Sequence, residues 1–203
     1  MVEIIDQDEA FIAVNKPTGL LSVPGRGPDK QDCCLSRVMA QFPEALMVHR
    51  LDMDTSGLIL FARSLEVQRA LSLQFEKREI HKVYIAVVEG VLEKNVGFID
   101  FPMRKDMEQR LPPKHIVDCV RGKKALTEWK VLERDANSTR VALFPKTGRS
   151  HQLRVHMNAI GFPIVGDAIY GTSGERLMLH AQTLELPHPC TGEPVRLECP
   201  APF

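Results

Sequence analysis

The segment that most constrains the fold is residues 82–91, a predicted strand in which apolar side chains alternate onto both faces. The apolar side chains of the two faces are Val83, Ile85 and Val87, and Tyr84, Ala86 and Val88. Period-two alternation is typical of a β-strand, and a strand that is apolar on both sides is buried on both sides. We therefore expect this strand to lie in the centre of a sheet.

Further strands are predicted along the whole chain. They fall at residues 2–5 and 11–14, 125–132 and 139–144, and 177–186 and 195–199, the first two pairs forming hairpins. Because these strands are interrupted by only two helices, the sequence favours the α+β class, with a mixed, mostly antiparallel sheet flanked by helices and loops.

The two helices are predicted from their caps and their spacing. Ser64 is an N-cap for a helix that reaches about Lys77, and residues 150–160 form a second helix that stops at Gly161. Residues 102–124 are rich in Arg, Lys and Pro and have little periodicity, so we expect an extended, mobile connection there.

Composition places the chain among compact intracellular proteins. With 203 residues and 44% hydrophobic content, it can bury a real core, and we expect one domain over residues 1–203. Five cysteines without CxxC spacing argue against both a disulfide framework and a metal site. The N-terminus lacks the pattern of a signal peptide, and no apolar segment approaches the ~20 residues that span a bilayer. We expect a cytoplasmic, monomeric protein without membrane contact.

The chain has no net charge, because 26 basic residues balance 26 acidic ones. Any contact with a nucleic acid must therefore come from a local basic patch. The candidate patch lies within residues 102–124 and includes Arg104, Lys105, Arg110, Lys114, Arg121, Lys123 and Lys124. Acidic residues in the same stretch, such as Asp106 and Asp118, dilute it.

The densest group of polar side chains is HRLDMDTSGL at residues 49–58, which opens into the apolar run 59–62. A carboxylate at the start of an apolar segment tends to be held rigidly and partly desolvated, and these conditions suit catalysis. Asp52 is the candidate, with Asp54 as a competitor. From these residues alone, Asp52 could equally cap a helix or turn through Thr55 and Ser56.

A second dense segment is KTGRSHQLRVH at residues 146–156, followed by GFPIVGD at 161–167 and by Tyr170-Gly171. The predicted helix start at residues 148–150 would offer free amides to an anion. His151 and His156 are five residues apart, which is not the spacing of a zinc helix. We expect these two histidines to be structural or to contact phosphate.

These segments resemble the motifs of the RluA family of pseudouridine synthases: HRLD-x-x-TSGL, GR-x-HQ-[IL]-R-x-H and G-x-PI-x-GD-x-x-YG. The family's K-x-Y appears as Lys82-Val83-Tyr84, and its NKP-x-G as residues 15–19. The motifs occur in the family's order over residues 15–171. The resemblance implies the pseudouridine synthase fold with a central catalytic cleft, and no N-terminal S4 domain is expected.

The resemblance also implies roles for individual residues. Asp52 is the catalytic carboxylate, Arg154 is its ion-pair partner (with Arg149 as the other claimant), and Tyr84 stacks on the base. Six residues are expected to bind the substrate. Arg50 fills the stack that the flipped base vacates, and Leu153 forms a wall of the uracil pocket. The others are His49, Arg149, His151 and Lys16.

The chemistry of this family suits these side chains. Pseudouridylation breaks the C1′–N1 bond, rotates the uracil and forms C1′–C5, so no redox change occurs and we expect no cofactor or metal. It needs a carboxylate at the sugar, a guanidinium that keeps it ionised, and an aromatic face for the freed base. The expected partner is a stem-loop of 23S rRNA, the anticodon stem-loop of tRNA, or both, with the target uridine flipped out.

Two alternatives remain open. One is a catalytically silent RNA-binding module on the same fold, whose binding would not depend on Asp52. The other is a hydrolase that pairs Asp52 or Asp54 with His151, although the spacing offers no clear nucleophile and base.

Overall fold

A computed structural model of the protein describes residues 2–108 and 112–203. The chain divides into two compact units, which we call the first and the second unit. The first contains residues 2–82 and 180–202, and the second contains the described residues of 83–179 together with Phe203. The expectation of one domain over residues 1–203 stays a prediction.

The first unit is built on strand β4 (Ser56–Ala62). Its other strands are β1 (Glu3–Gln7), β2 (Phe11–Lys16), β3 (Leu46–Met47), β11 (Leu179–Pro187) and β12 (Pro194–Glu198). Antiparallel neighbours are β1 with β2, β2 with β4, β3 with β4, and β11 with β12, whereas β4 and β11 run parallel. The predicted hairpin at residues 2–14 is confirmed.

Strand β4 is buried along its whole length because helices cover both of its faces. Leu58 and Leu60 belong to the same core cluster as Val67 and Leu71 of helix α2 (Leu65–Lys77). The alternate residues of β4 pack with helix α1 (Cys34–Met39) in a second cluster. This explains why the apolar run 59–62 does not alternate with polar residues.

The predicted helix after Ser64 is confirmed, whereas α1 was not predicted. Ser64 caps α2 through its side chain, which accepts a hydrogen bond from the Val67 N–H, and Arg78 ends the helix in the left-handed conformation. Helix α1 is only six residues long, and its N-cap is Cys33. A cysteine is not among the preferred N-cap residues, so the usual start signal is absent from the sequence. A single 3-10 turn, Pro28–Lys30, precedes it.

The second unit is an antiparallel sheet with one helix on it. The strands lie in the order β5 (His81–Glu89), β10 (Ser138–Pro145), β9 (Thr127–Arg134) and β6 (Val96–Ile99). Helix α3 (Gln152–Ala159) contributes Leu153 and Met157 to a core cluster that includes Ala86 and Val88. On the side of β5 away from β10, Val87 exchanges backbone hydrogen bonds with Met178 and Val165. Strand β5 is therefore bonded along both edges.

The segment predicted to be an extended, mobile connection contains two paired strands, so the expectation that it lacks regular structure is wrong. Strands β7 (Met103–Lys105) and β8 (His115–Val117) pair antiparallel as a separate two-stranded sheet. The strands are three residues each, too short to show a period of two, which is why the sequence does not reveal them. Arg110 lies outside the described residues.

The α+β assignment is confirmed. Three α-helices and twelve strands occur in the part of the chain that the structure describes, and the strand pairings given above are antiparallel except for β4 with β11. None of the helices among residues 2–108 and 112–203 is long and apolar enough to cross a membrane.

Candidate active site

The loop that carries Asp52 is held in place by residues 16–22. The buried Lys16 ammonium donates to the backbone carbonyl of Met53, and the Thr18 hydroxyl donates to that of Asp54. Ser22 bonds both backbone groups of Leu51, donating to its carbonyl and accepting from its N–H. The backbone on either side of Asp52 is thus fixed by three side chains, while the Asp52 side chain is only half-buried.

Lys16 is entirely buried, so the expectation that it contacts the substrate is corrected. Its ammonium also donates to the carbonyls of Pro17 and Leu20, at 2.9 and 2.7 Å, and so fills all three of its donor sites with backbone oxygens. Burial lowers the pKa of Lys16 to about 8, against the opposing effects of Cys34, Asp54 and Asp52. With no exposed surface, the side chain ties the NKP segment to the loop and cannot reach a phosphate.

The Asp52 segment is a turn that leads into a strand, so the helix-cap interpretation of Asp52 is wrong. The Thr55 N–H donates to the backbone carbonyl of Asp52 at 3.2 Å, and β4 begins at Ser56. Leu51 and Thr55 point into the protein, whereas Arg50 and Met53 are exposed. Arg50 therefore stands at the surface next to the candidate carboxylate.

His49 is tethered to the strand that follows the loop. Its Nε2 accepts a hydrogen bond from the Leu60 N–H at 3.0 Å, and its ring stacks on Phe75 with centroids 4.6 Å apart. Burial, together with the nearby charge of Lys82, lowers the pKa of His49 to about 3. The ring is consequently neutral at physiological pH, with one nitrogen committed to the backbone, an arrangement that orients the HRLD segment.

The Ser56-Gly57 pair is where β4 meets β11. The Ser56 hydroxyl lies 2.9 Å from His180 Nδ1, and His180 Nε2 lies 2.9 Å from the Cys199 carbonyl. Because a carbonyl can only accept, Nε2 carries the proton and Ser56 donates to Nδ1. Gly57 has φ of 111°, and an added Cβ would lie 2.3 Å from the Ala181 carbonyl oxygen. The TSGL motif thus needs a glycine at position 57, because a side chain there would be strained by the positive φ and would collide with the Ala181 backbone.

In the second unit, Arg154 is held by Asp167. The guanidinium Nε and Nη2 donate to the two carboxylate oxygens at 2.7 Å each, and Arg154 is only 3% exposed. Burial by itself would raise the pKa of Asp167, but the hydrogen bonds and charge of Arg154 outweigh it and hold that pKa below its ordinary value. Asp167 also accepts from the backbone N–H groups of Ile169 and Tyr170, so the carboxylate has partners from two directions.

The role of Asp167 was missed by the sequence analysis, which placed it in a motif without assigning it a function. It is 13 residues from Arg154, and between the two the chain leaves helix α3 and changes direction. No helical or strand periodicity relates two such positions, so their pairing could not be predicted from spacing.

Tyr170 joins three parts of the second unit. Its hydroxyl accepts from the His115 N–H at 2.8 Å and lies 2.8 Å from His151 Nδ1, while its ring lies 5.3 Å from the Arg154 guanidinium carbon. The β7–β8 sheet, the start of α3 and the candidate guanidinium are thereby connected through one side chain.

Tyr84 and Leu153 lie in the same hydrophobic cluster, with Tyr84 partly buried at its edge. An aromatic face and an aliphatic side chain are thus in one apolar environment, as a uracil pocket would require.

The predicted helix start at residues 148–150 is wrong, and with it one of the amides expected to be free for an anion. Helix α3 begins at Gln152, two residues later than expected, and His151 precedes it in the left-handed conformation with φ of 57°. The Arg149 N–H is not free, because it donates to the Gln152 side-chain oxygen at 3.0 Å. The exposed Arg149 guanidinium donates through Nε to the Lys124 carbonyl.

Comparison with known proteins bears on what this arrangement does. A family model described as RNA pseudouridylate synthase matches residues 10–159. The chain is 48% identical to the Dual-specificity RNA pseudouridine synthase RluA of Yersinia pestis, over 98% of this chain and 99% of that protein. It is 47% identical to the protein of the same name from Haemophilus influenzae, with coverage of 100% and 94%. The chain belongs to the RNA pseudouridylate synthase family.

The structure agrees with this membership. The solved structure of Human RNA Pseudouridylate Synthase Domain Containing 1 is similar with a TM-score of 0.85 and 29% identity, covering 100% of this chain and 84% of that one. The predicted fold and the predicted RluA-family membership are both confirmed. The protein is an RNA pseudouridine synthase, an isomerase that acts on uridine in RNA, and the silent RNA-binding alternative is not favoured.

Within this synthase, His156 is structural rather than a phosphate ligand. It is fully buried, with Nε2 donating to the Phe101 carbonyl and Nδ1 accepting from the Thr127 hydroxyl. Burial lowers its pKa and favours the neutral ring. The Gln152 side chain donates to the same Thr127 oxygen, so the polar groups of α3 that face the sheet are satisfied.

The basic patch of this synthase is partly neutralised. Arg104 forms an ion pair with Asp118, which holds the pKa of that carboxyl at about 2. Lys114 lies 5.6 Å from the centre of the Tyr170 ring. Lys105 and Lys123 are exposed, and the role of the patch in RNA binding stays a prediction.

Proposed function

We propose that this synthase isomerises a flipped-out uridine in stem-loops of both 23S rRNA and tRNA, using Asp52 as its catalytic carboxylate. The substrate range is supported by the relatives, which are named dual-specificity RNA pseudouridine synthases and align with nearly the whole chain. The observation that favours Asp52 is its loop: three side chains bind the backbone on both sides of it and leave its own side chain half-buried.

The roles of the other residues follow from the chemistry. Asp52 acts at C1′ as the C1′–N1 bond breaks, and Arg154 ion-pairs with Asp52 to keep it ionised. Tyr84 stacks on the freed uracil while it turns, and Leu153 forms the apolar wall beside it. When C1′–C5 forms, the C5 proton leaves and N1 gains one, so the base is isomerised without any other reactant.

Arg154 is favoured over Arg149 as the partner of Asp52 by its surroundings. A guanidinium that is buried and fixed by a carboxylate has lost its rotamer freedom, so it can be aimed, whereas Arg149 is exposed. Arg154→Lys should abolish turnover, because an ammonium cannot reproduce the two-pronged geometry, and Arg149→Lys should retain it. The reverse result would assign the pairing to Arg149.

Arg50 is proposed to fill the stack that the uridine vacates, because it is exposed and is two residues from Asp52. His151, the residue before α3 and two positions after Arg149, is proposed to contact the RNA together with Arg149. We also propose that the enzyme acts as a monomer in the cytoplasm and needs no metal or organic cofactor. Turnover that is lost on chelation, or a dimer in sedimentation, would contradict the corresponding part.

The test is tritium release from transcripts labelled at C5 of uridine, since that hydrogen is displaced when C1′–C5 forms. A 23S rRNA fragment and a tRNA are each treated with the wild type, Asp52→Asn and, as a matched control two residues away, Asp54→Asn. We expect release by the wild type and Asp54→Asn from both transcripts, and none by Asp52→Asn. Release by Asp52→Asn would refute its role, and release from one transcript only would refute dual specificity.

A further inference from the structure

Lys82, the first residue of the K-x-Y motif, has no role in the function described so far. It lies near the start of β5 and is half-buried, with its ammonium 6.0 Å from the centre of the Phe75 ring. The same ring stacks on His49, which immediately precedes Arg50. Phe75 therefore connects Lys82 with the segment that leads to Asp52.

The neighbouring charge that acts on the pKa of Lys82 is positive. Burial and the neighbouring Arg78 both lower the pKa of Lys82, and no carboxylate among the described residues opposes them. Lys16 is the contrasting case, because Asp52 and Asp54 help to keep its ammonium charged and three carbonyls bind it. Lys82 is a partly desolvated cation whose surroundings contain an aromatic face and other positive charge.

Such a site is unfavourable for folding alone. A cation over an aromatic ring gains only a little free energy at an exposed site, and desolvating a charge costs more than this when no counter-charge is near. An anion brought by a ligand would supply the missing charge. In an RNA-modifying enzyme, the anion that accompanies every nucleotide is the backbone phosphate.

The position of Lys82 selects which phosphate. Lys82 and Tyr84 are two residues apart on β5 and so lie on the same face of that strand. Tyr84 is the residue proposed to stack on the target base, and the Phe75 ring beside the Lys82 ammonium also stacks on His49 of the HRLD segment. A cation two residues from Tyr84, on the same face of β5, is placed to bind the sugar-phosphate backbone of the nucleotide whose base is flipped.

We propose that Lys82 binds the RNA backbone phosphate adjacent to the target uridine and so helps to hold the flipped nucleotide. This inference rests on the proposed role of Asp52, because that role defines where the target nucleotide lies. Lys82 is a substrate-binding residue in this proposal and takes no part in bond breaking.

The first experiment measures the salt dependence of binding. Asp52→Asn and the double variant Asp52→Asn/Lys82→Met are titrated with the stem-loop substrate at several salt concentrations, in the absence of turnover. Each phosphate contact contributes about 0.7–0.9 to the slope of log K against log salt, so the slope should fall by that amount. This corresponds to about 5- to 8-fold weaker binding at 0.1 M salt. The control is Lys77→Met, which removes an exposed lysine of α2 and should leave the slope unchanged.

The second experiment locates the phosphate. A single neutral methylphosphonate replaces the linkage 5′ or 3′ of the target uridine. One of the two should weaken binding to the Lys82 protein by a similar factor and leave binding to the Lys82→Met protein unchanged. Lys82→Arg should restore most of the salt slope, because a guanidinium also binds phosphate.

Each outcome separates this inference from the proposed function. A salt slope that Lys82→Met leaves unchanged would overturn the role of Lys82. So would a methylphosphonate that weakens RNA binding to the Lys82→Met protein as much as to the Lys82 protein. Either result would leave the role of Asp52 intact. Tritium release by the single variant Asp52→Asn would instead overturn the proposed function. Thermal unfolding checks that Lys82→Met is folded, and Lys82→Gln serves in its place if it is not.

Discussion

Arg154 and Asp167 form a buried, two-pronged ion pair in which both carboxylate oxygens accept hydrogen bonds from one guanidinium, at 2.7 Å each. Two parallel hydrogen bonds fix the plane of the guanidinium as well as its position. The carboxylate is fixed in turn by the backbone of Ile169 and Tyr170. Asp167 thus acts as a positioning residue for the arginine that we assign to Asp52.

Asp167→Asn should therefore impair both stability and turnover. The amide retains the shape and a carbonyl acceptor but loses the charge, and removing one member of a buried ion pair costs about 3–5 kcal/mol of unfolding free energy. Urea unfolding and tritium release measure the two effects. The control is Asp118→Asn, which breaks the more exposed pair with Arg104 and should cost much less, because exposed ion pairs contribute little to stability. Equal effects of the two substitutions would contradict the special role of the Arg154 pair.

Gly57→Ala should disrupt the junction of β4 and β11. A Cβ at this position would lie 2.3 Å from the Ala181 carbonyl oxygen, and φ of 111° is unfavourable for any side chain. Because the strain of about 1–3 kcal/mol adds to a backbone clash, we expect a loss of more than about 3 kcal/mol in unfolding free energy. Gly192→Ala is the matched control, since Gly192 also has positive φ, of 75°, but nothing within 4 Å of the added Cβ. It should cost only about 1–2 kcal/mol.

Stability should fall as the pH is lowered below 6.5, because two histidines, the half-buried His49 and the buried His156, are neutral in the folded protein. The pKa of His49 is lowered to about 3, and that of His156 is also lowered. The unfolded chain binds protons at pH values where the folded chain does not, so protonation favours unfolding. Each histidine contributes up to about 1.4 kcal/mol per pH unit between its folded pKa and 6.5.

Urea unfolding between pH 6.5 and about pH 5 measures this dependence. His156→Gln retains an N–H for the Phe101 carbonyl and cannot titrate, so its stability should depend less steeply on pH than that of the wild type. A wild-type unfolding free energy that is constant over this range would contradict the assignment of two neutral rings.

The sequence predicted the parts of the fold that depend on local signals. Strand β5, the hairpins and helix α2 follow from alternation, turn residues and the Ser64 cap, and each is found. Helix α1 and the β7–β8 sheet were missed because one has a cysteine cap and the other has strands of three residues. Neither element could be identified from a local sequence pattern.

The candidate site was predictable only as a set of motifs. Asp52, Tyr84 and Arg154 were identified from the family pattern, but the partners of Lys16 and Arg154 depend on tertiary contacts. Lys16 reaches the carbonyl of Met53, 37 positions away, and no sequence rule distinguishes such a buried lysine from a surface one. The mistaken assignment of Lys16 to the substrate has this physical origin.

Lys16→Met should destabilise the Asp52 loop without changing the electrostatics of RNA binding. Three backbone carbonyls would lose their donor in a buried site, and each unsatisfied buried group costs about 1–3 kcal/mol. Turnover should fall because the loop is no longer fixed at Met53, whereas the slope of log K against log salt should stay at the wild-type value because Lys16 contacts no phosphate. Lys82→Met should show the opposite pattern, with its stability retained and its slope reduced. A reduced slope for Lys16→Met would mean that the ammonium reaches RNA after all.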